Sequence, residues 1–133
     1  MNLEKDVEQW AKFAKRDLEI AQHLFELFRP MPIEPICNHC QQSAEKMLKG
    51  FLIFNRVEPP KTHKLRKLSD MCIEIKQDFY DFEHELATLT RYGVMPRYPN
   101  ELQLEEHDAK IAISYAEKIV QYVNELLDGS ESK

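Results

Sequence analysis

Residues 3–28 read LEKDVEQWAKFAKRDLEIAQHLFELF. Leu3, Val7, Trp10, Ala14, Leu18, Ala21, Phe25 and Phe28 recur at steps of three and four, so a helix would carry them on one wide stripe. The spacing predicts a first helix from Leu3 to Phe28. The segment RPMPIEP, Arg29 to Pro35, then stops it, because proline lacks an N–H and clashes with the preceding turn. Pro35 suits the first turn of a second helix, where a missing N–H costs nothing.

The second helix is predicted over Pro35 to Asn55. Ile36, Cys40, Ala44, Met47, Leu48 and Phe51 form its apolar arc. At 100° per residue, His39, Gln42, Lys46 and Lys49 fall on the other side. The turn VEPPKT, Val57 to Thr62, ends it, and Thr62 is placed to cap a third helix bearing Leu65, Leu68, Cys72 and Ile75. The pattern hesitates at Lys76–Asp78. Asp78 then caps a fourth helix with Phe79, Phe82, Leu86 and Leu89, or one bent helix runs through. Gly93, Pro96 and Pro99 make Tyr92 to Asn100 a loop. A last helix, Glu105 to Leu127, carries Ala109, Ala112, Ile113, Ala116, Val120, Val123 and Leu127. The acids from Glu101 to Asp108 suit its positive N-terminal end.

These elements add up to an all-α, up-and-down bundle of about five helices. The chain's 133 residues allow one domain, 1–128, with a short frayed tail, 129–133. Three glycines are few for a β-protein. No apolar run is long enough for a membrane span, and the first ten residues lack the apolar core of a secretory signal. The expected location is the cytoplasm, where three cysteines, an odd number, stay reduced.

The net charge is -5, so nucleic acid or nucleotide would have to use a local basic patch. Lys61, His63, Lys64, Arg66 and Lys67 form one, at a helix start whose free N–H groups already favour anions. The polar second-helix face is either a ligand surface, a subunit contact or a solvated side; spacing alone does not decide. Arg97 and Tyr98 offer a phosphate fork and a stacking ring in the later loop. Arg56 and His63 are the candidate pair for metal-free RNA cleavage, with a cation for the phosphorane and a base for the 2′-hydroxyl. Cys37 and Cys40 make a single C-x-x-C inside an apolar stripe, half of what a structural zinc site needs, so no metal is expected. No phosphate-binding loop, nucleophile elbow or dinucleotide turn is present, and no cofactor is expected.

Three blocks carry a resemblance: HCQQSAEKMLK from His39 to Lys49, EPPKTHKL from Glu58 to Leu65, and Arg97-Tyr98-Pro99 before the last helix. In this order they resemble the HEPN domain (higher eukaryotes and prokaryotes nucleotide-binding) over about residues 5–127. The resemblance implies a helical homodimer. It also implies a link to minimal nucleotidyltransferases in toxin–antitoxin-like pairs, with nucleotide or RNA phosphate as ligand. By position, Gln42, Glu45, Lys46 and Lys49 match its second-helix block, His63 its turn, and Arg97 and Tyr98 its loop. Ribonuclease members carry an arginine and a histidine with four to six residues between them, near the fourth or last helix. Here nine residues separate Arg97 from His107, and the spacing from Arg56 to His63 fits but lies elsewhere in the fold. The sequence therefore reads as a non-catalytic binding protein, with a metal-independent ribonuclease and a pure interaction module as alternatives.

Overall fold

A computed structural model describes residues 3–93 and 104–129. They form α1 (Leu3–Leu27), α2 (Ile33–Phe54), α3 (Leu65–Ile75), a 3-10 turn (Gln77–Phe82), α4 (Glu83–Tyr92) and α5 (Glu106–Leu127), with no strand among them. The all-α bundle expected from the helical spacing is what the chain builds. Among the described residues, no helix is long and apolar enough to cross a membrane.

Helix α2 is the axis of the molecule. Its whole apolar arc (Ile36, Cys40, Ala44, Met47, Leu48 and Phe51) is buried. Antiparallel α1 makes its most extensive contact, and α5 packs on another side. Ser43 donates to the Ala14 carbonyl at 2.7 Å, a buried cross-link between the two helices. At the other end of the seam Gly50 lies against Trp10. A Cβ there would meet Trp10 Cβ at 3.2 Å, tighter than ordinary packing, so the lack of a side chain lets the helices close. The alanines of α5 (Ala109, Ala112 and Ala116) are fully buried, so small side chains line its packed face.

Four boundaries differ from the sequence expectation. Phe28 lies past the end of α1 and is 54% exposed, so it is not part of the core stripe. Helix α2 starts at Ile33, which keeps Pro35 within its first turn. Thr62 does not cap α3. Its hydroxyl accepts the Lys64 N–H at 3.2 Å, and the helix starts at Leu65 after an extended Lys64. The Lys76–Asp78 hesitation is neither a simple cap nor a bent helix but a 3-10 turn. Three residues per turn put Phe79 and Phe82 on one side. There Phe79 packs against Phe51 and Tyr122 at ring distances of 4.8 and 5.3 Å, and Phe82 meets Tyr122 at 4.7 Å.

Helix α5 begins with a reciprocal cap between Glu105 and Asp108, which satisfies otherwise unpaired N-terminal N–H groups. Tyr92, closing α4, donates to the same Asp108 at 2.7 Å and so ties the two helix ends together. Burial pushes the Tyr92 hydroxyl above its ordinary range, and the Asp108 carboxylate adds to the effect. Burial works against ionisation of Asp108 too. The Glu105 N–H, the Tyr92 hydroxyl and the His107 and Arg91 charges outweigh it, and its carboxyl stays below the usual value.

All three cysteines are buried free thiols. Burial raises Cys37 and Cys72 to about 12, and Cys40 higher still. The thiolate is the reactive form, and at pH 8 a pKa near 12 leaves about one thiol in ten thousand ionised. Native protein should therefore leave a disulfide-exchange reagent unconsumed at pH 8, whereas guanidinium-unfolded protein should consume three equivalents. Rapid reaction of any thiol in the native state would contradict this packing.

Candidate functional site

The polar side of α2 is only partly open to water. It turns toward α1, where two buried carboxylates meet it. Asp17 of α1 is only 6% exposed and takes Lys46 at 2.5 Å and His39 at 3.0 Å. Further along α2, Glu45 is 5% exposed and takes Lys49 at 3.0 Å. It also holds the Nδ1 of His63, at 3.0 Å from one oxygen and 3.2 Å from the other. Each buried carboxylate thus has a lysine and a histidine around it. A charge this deep needs a partner of opposite sign to stay ionised.

His63 joins the second cluster from outside. Its ring is on the surface, and it reaches inward only through Nδ1. Gln41 donates to its backbone carbonyl at 3.2 Å, so α2 grips this residue twice. Gln42 is hydrogen-bonded to Asn38, four residues earlier on the same helix. Asn38 in turn lies 3.5 Å from the Gly93 carbonyl. Expected ligand-binding residues His39, Gln42, Lys46, Lys49 and His63 are therefore brought together, but each is already engaged within the chain. Arg97 and Tyr98 lie outside the described residues.

The cations without an acidic partner, among the described residues, include a group in the segment after α2. Arg56, Lys61, Lys64, Arg66 and Lys67 are all exposed. Arg56 has φ 62°, a left-handed conformation that normally selects glycine. It closes α2 as the C′ residue of a Schellman motif: its N–H reaches the Ile53 carbonyl, and the Val57 N–H reaches the Leu52 carbonyl, both at 2.9 Å.

Arg56 also opens onto a groove of about 670 Å³ between the start of α1 and the Pro59–Pro60 turn, within the usual range for ligand sites. The groove is lined by Trp10, Ile53 and the two prolines, with Arg56 and Lys61 as exposed cations and Asp6 and Glu58 as its acids. Lys49 stands 5.6 Å over the Trp10 ring. His63 does not line this groove, so Arg56 and His63 face different surroundings. No group of three or more His, Cys, Asp or Glu residues suited to a metal occurs among the described residues.

Asp17 and Trp10 are the residues that sequence reasoning missed. Asp17 carried a signal: an acid beside Leu18, inside an apolar stripe, needs a cation opposite it. Trp10 carried none, because a tryptophan in such a stripe reads as core.

The HEPN domain model matches residues 7–126. An archaeal HEPN homologue of known crystal structure is 27% identical, over 91% of this chain and 97% of that one, with a TM-score of 0.68. A protein from Thermus thermophilus, also of known crystal structure, is 25% identical, over 94% and 98%, with a TM-score of 0.70. No curated protein matches the chain.

The two ion clusters should differ in strength, because Glu45 and Lys49 are both buried while His39 and Lys46 are each more than a quarter exposed. Removing the charge of Glu45 strands a buried lysine, so Glu45→Gln should cost about 3 kcal/mol in a denaturation titration. Lys46→Met should cost about 1 kcal/mol, since Lys46 is partly solvated and His39 still faces the Asp17 carboxylate. Equal costs would refute this division.

Proposed function

The chain belongs to the HEPN domain family, and we propose that it serves there as a phosphate-binding component for a nucleotide or RNA, acting beside a minimal nucleotidyltransferase rather than cleaving RNA itself. The observation that carries this reading is the segregation of charge. Cations on α2 are neutralised by Asp17 and Glu45, whereas Arg56, Lys61, Lys64, Arg66 and Lys67 remain exposed and unpaired among the described residues. A chain of net charge -5 thereby keeps a basic surface after α2.

The Trp10 groove gives that surface a shape. An indole is a platform for a base, and Arg56 and Lys61 are placed for phosphate. Asp6 and Glu58 can accept hydrogen bonds from ring or amino N–H groups and from ribose hydroxyls. Arg56 supports the reading on energetic grounds. Glycine would hold the same turn with less strain, so the arginine side chain has a use that offsets its backbone cost. A ribonuclease reading draws less support, because the arginine and histidine it would pair do not share a site. The nucleotidyltransferase partner and the toxin–antitoxin role rest on family membership. The exposed run Lys64, Arg66 and Lys67 at the start of α3 is the surface left for that partner or for a longer RNA.

Trp10 is the chain's one tryptophan, so its fluorescence reports directly on the groove. Nucleoside phosphates should change that emission, with an affinity that falls as salt rises. At a hundred times its dissociation constant a ligand should add ~2.7 kcal/mol to stability. Arg56→Gly should weaken binding at least tenfold and yet raise unfolding stability by about 0.5–1 kcal/mol, because it relieves the left-handed backbone. Wild-type protein whose emission and melting ignore every nucleotide and short RNA would refute the reading.

A further inference from the structure

Two histidines, His39 and His63, are each held at Nδ1 by a buried carboxylate, Asp17 and Glu45 respectively. An ionised carboxylate only accepts hydrogen bonds, so the ring proton of a neutral imidazole held this way sits on Nδ1. Its lone pair is then on Nε2. Glu45 stays ionised because Lys49, buried beside it, pairs with it at 3.0 Å.

Access separates the two. The His39 side chain is 29% exposed, whereas that of His63 is 90% exposed. Both hydrogen bonds of the His63 ring are made by Nδ1, and Nε2 has no partner among the described residues. The other three histidines lack this arrangement. His23 is exposed with no carboxylate holding it among the described residues. His84 packs edge-on against Tyr115 at 5.7 Å. His107 has Glu105 3.7 Å from Nδ1 and Asp108 3.6 Å from Nε2, so an acid stands beside each nitrogen. His63 is also fixed through its backbone, which Gln41 grips at the carbonyl. Exposed Lys61 and Lys64 flank it in sequence and favour the approach of an anionic reagent. A fixed ring with its lone pair turned outward, beside cations, is equipped as a nucleophile toward phosphorus.

We propose that Nε2 of His63 is a covalent acceptor for a phosphoryl group, donated by a phosphoanhydride or a phosphoramidate. The Nε2 lone pair forms the N–P bond while the donor's bond to phosphorus breaks, and the leaving group departs with that electron pair. Nδ1 keeps its proton, so the ring becomes a cation. The Glu45 carboxylate at 3.0 Å balances that cation, as a carboxylate behind an imidazole does when the ring gains charge during catalysis. The transferred group brings negative charge into the exposed basic segment of Lys61, Lys64, Arg66 and Lys67, and so lowers the pull of that segment on other anions. The inference rests on the surroundings of His63 and is independent of the nucleotide reading.

Potassium phosphoramidate, a small donor that transfers its phosphoryl group to imidazole and releases ammonia, is the probe. The full native chain should gain one phosphoryl group in its intact mass, and fragmentation should place it on His63. His63 should react about tenfold faster than His23, His84 or His107, which serve as controls within the same molecule. Phosphorus NMR separates the two ring isomers and should show phosphorus on Nε2 alone. The double change Glu45→Gln with Lys49→Met removes both buried charges together, so neither is stranded and the helical circular dichroism should be kept. In that variant His63 should slow to the rate of the other exposed histidines and give both isomers. Equal labelling of the exposed histidines in the wild type would overturn the proposal, and so would phosphorus on Nδ1. Unchanged selectivity in the folded double variant would overturn it as well. The nucleotide reading has its own readout, Trp10 emission, so failure of one proposal is distinguishable from failure of the other.

Discussion

A helix packed on several sides cannot leave its charges unpaired, and α2 is such a helix. Thirteen of its twenty-two residues are buried, and Glu45 and Lys49 are among them. An isolated ion at that depth would cost several kcal/mol, so each must find its opposite inside the protein. Glu45 and Lys49 find each other one turn apart, and Asp17 comes from α1 to meet Lys46 and His39. The α1–α2 seam is therefore held by polar pairs as well as by Ala14, Ala21 and Gly50. That double requirement sets the register between the two helices.

The same requirement relocates the protein's available positive charge. Lysines that could have served a ligand are consumed in holding helices together. What remains exposed includes the segment after α2, where the chain turns at Arg56 and passes the two prolines. His63 links the regions: Glu45 holds its ring and Gln41 its backbone, so the basic turn is anchored to the buried network. A surface built this way is held in place by the fold itself.

Helix α1 has two apolar faces, one buried and one exposed. Its inner stripe packs on α2 and α5, whereas its outer line of Phe13, Ile20 and Leu27 stays exposed. The two faces have the same chemistry, and the three-and-four spacing of the inner stripe masks the second repeat. Trp10 sits between them, half-buried, where it closes against Gly50 and still lines the groove.

Much was legible from sequence. Helix positions follow from apolar residues at steps of three and four, and from prolines that no helix interior accepts, because both act through local backbone geometry. The apolar arc from Ile36 to Phe51 is buried just as its spacing requires. Family membership was also legible, through short blocks kept in order. Tertiary structure alone decided which way the polar side of α2 turned. Nothing local distinguishes a lysine facing water from one facing an aspartate twenty-nine residues earlier, since the difference is made by the partner helix. It alone decided, too, that Arg56 would close α2 in a left-handed turn, and that the three-residue step from Phe79 to Phe82 would become a 3-10 turn against Tyr122. Sequence determines where this chain can be helical; long-range burial determines which of its charges are spent on the fold and which are left for function.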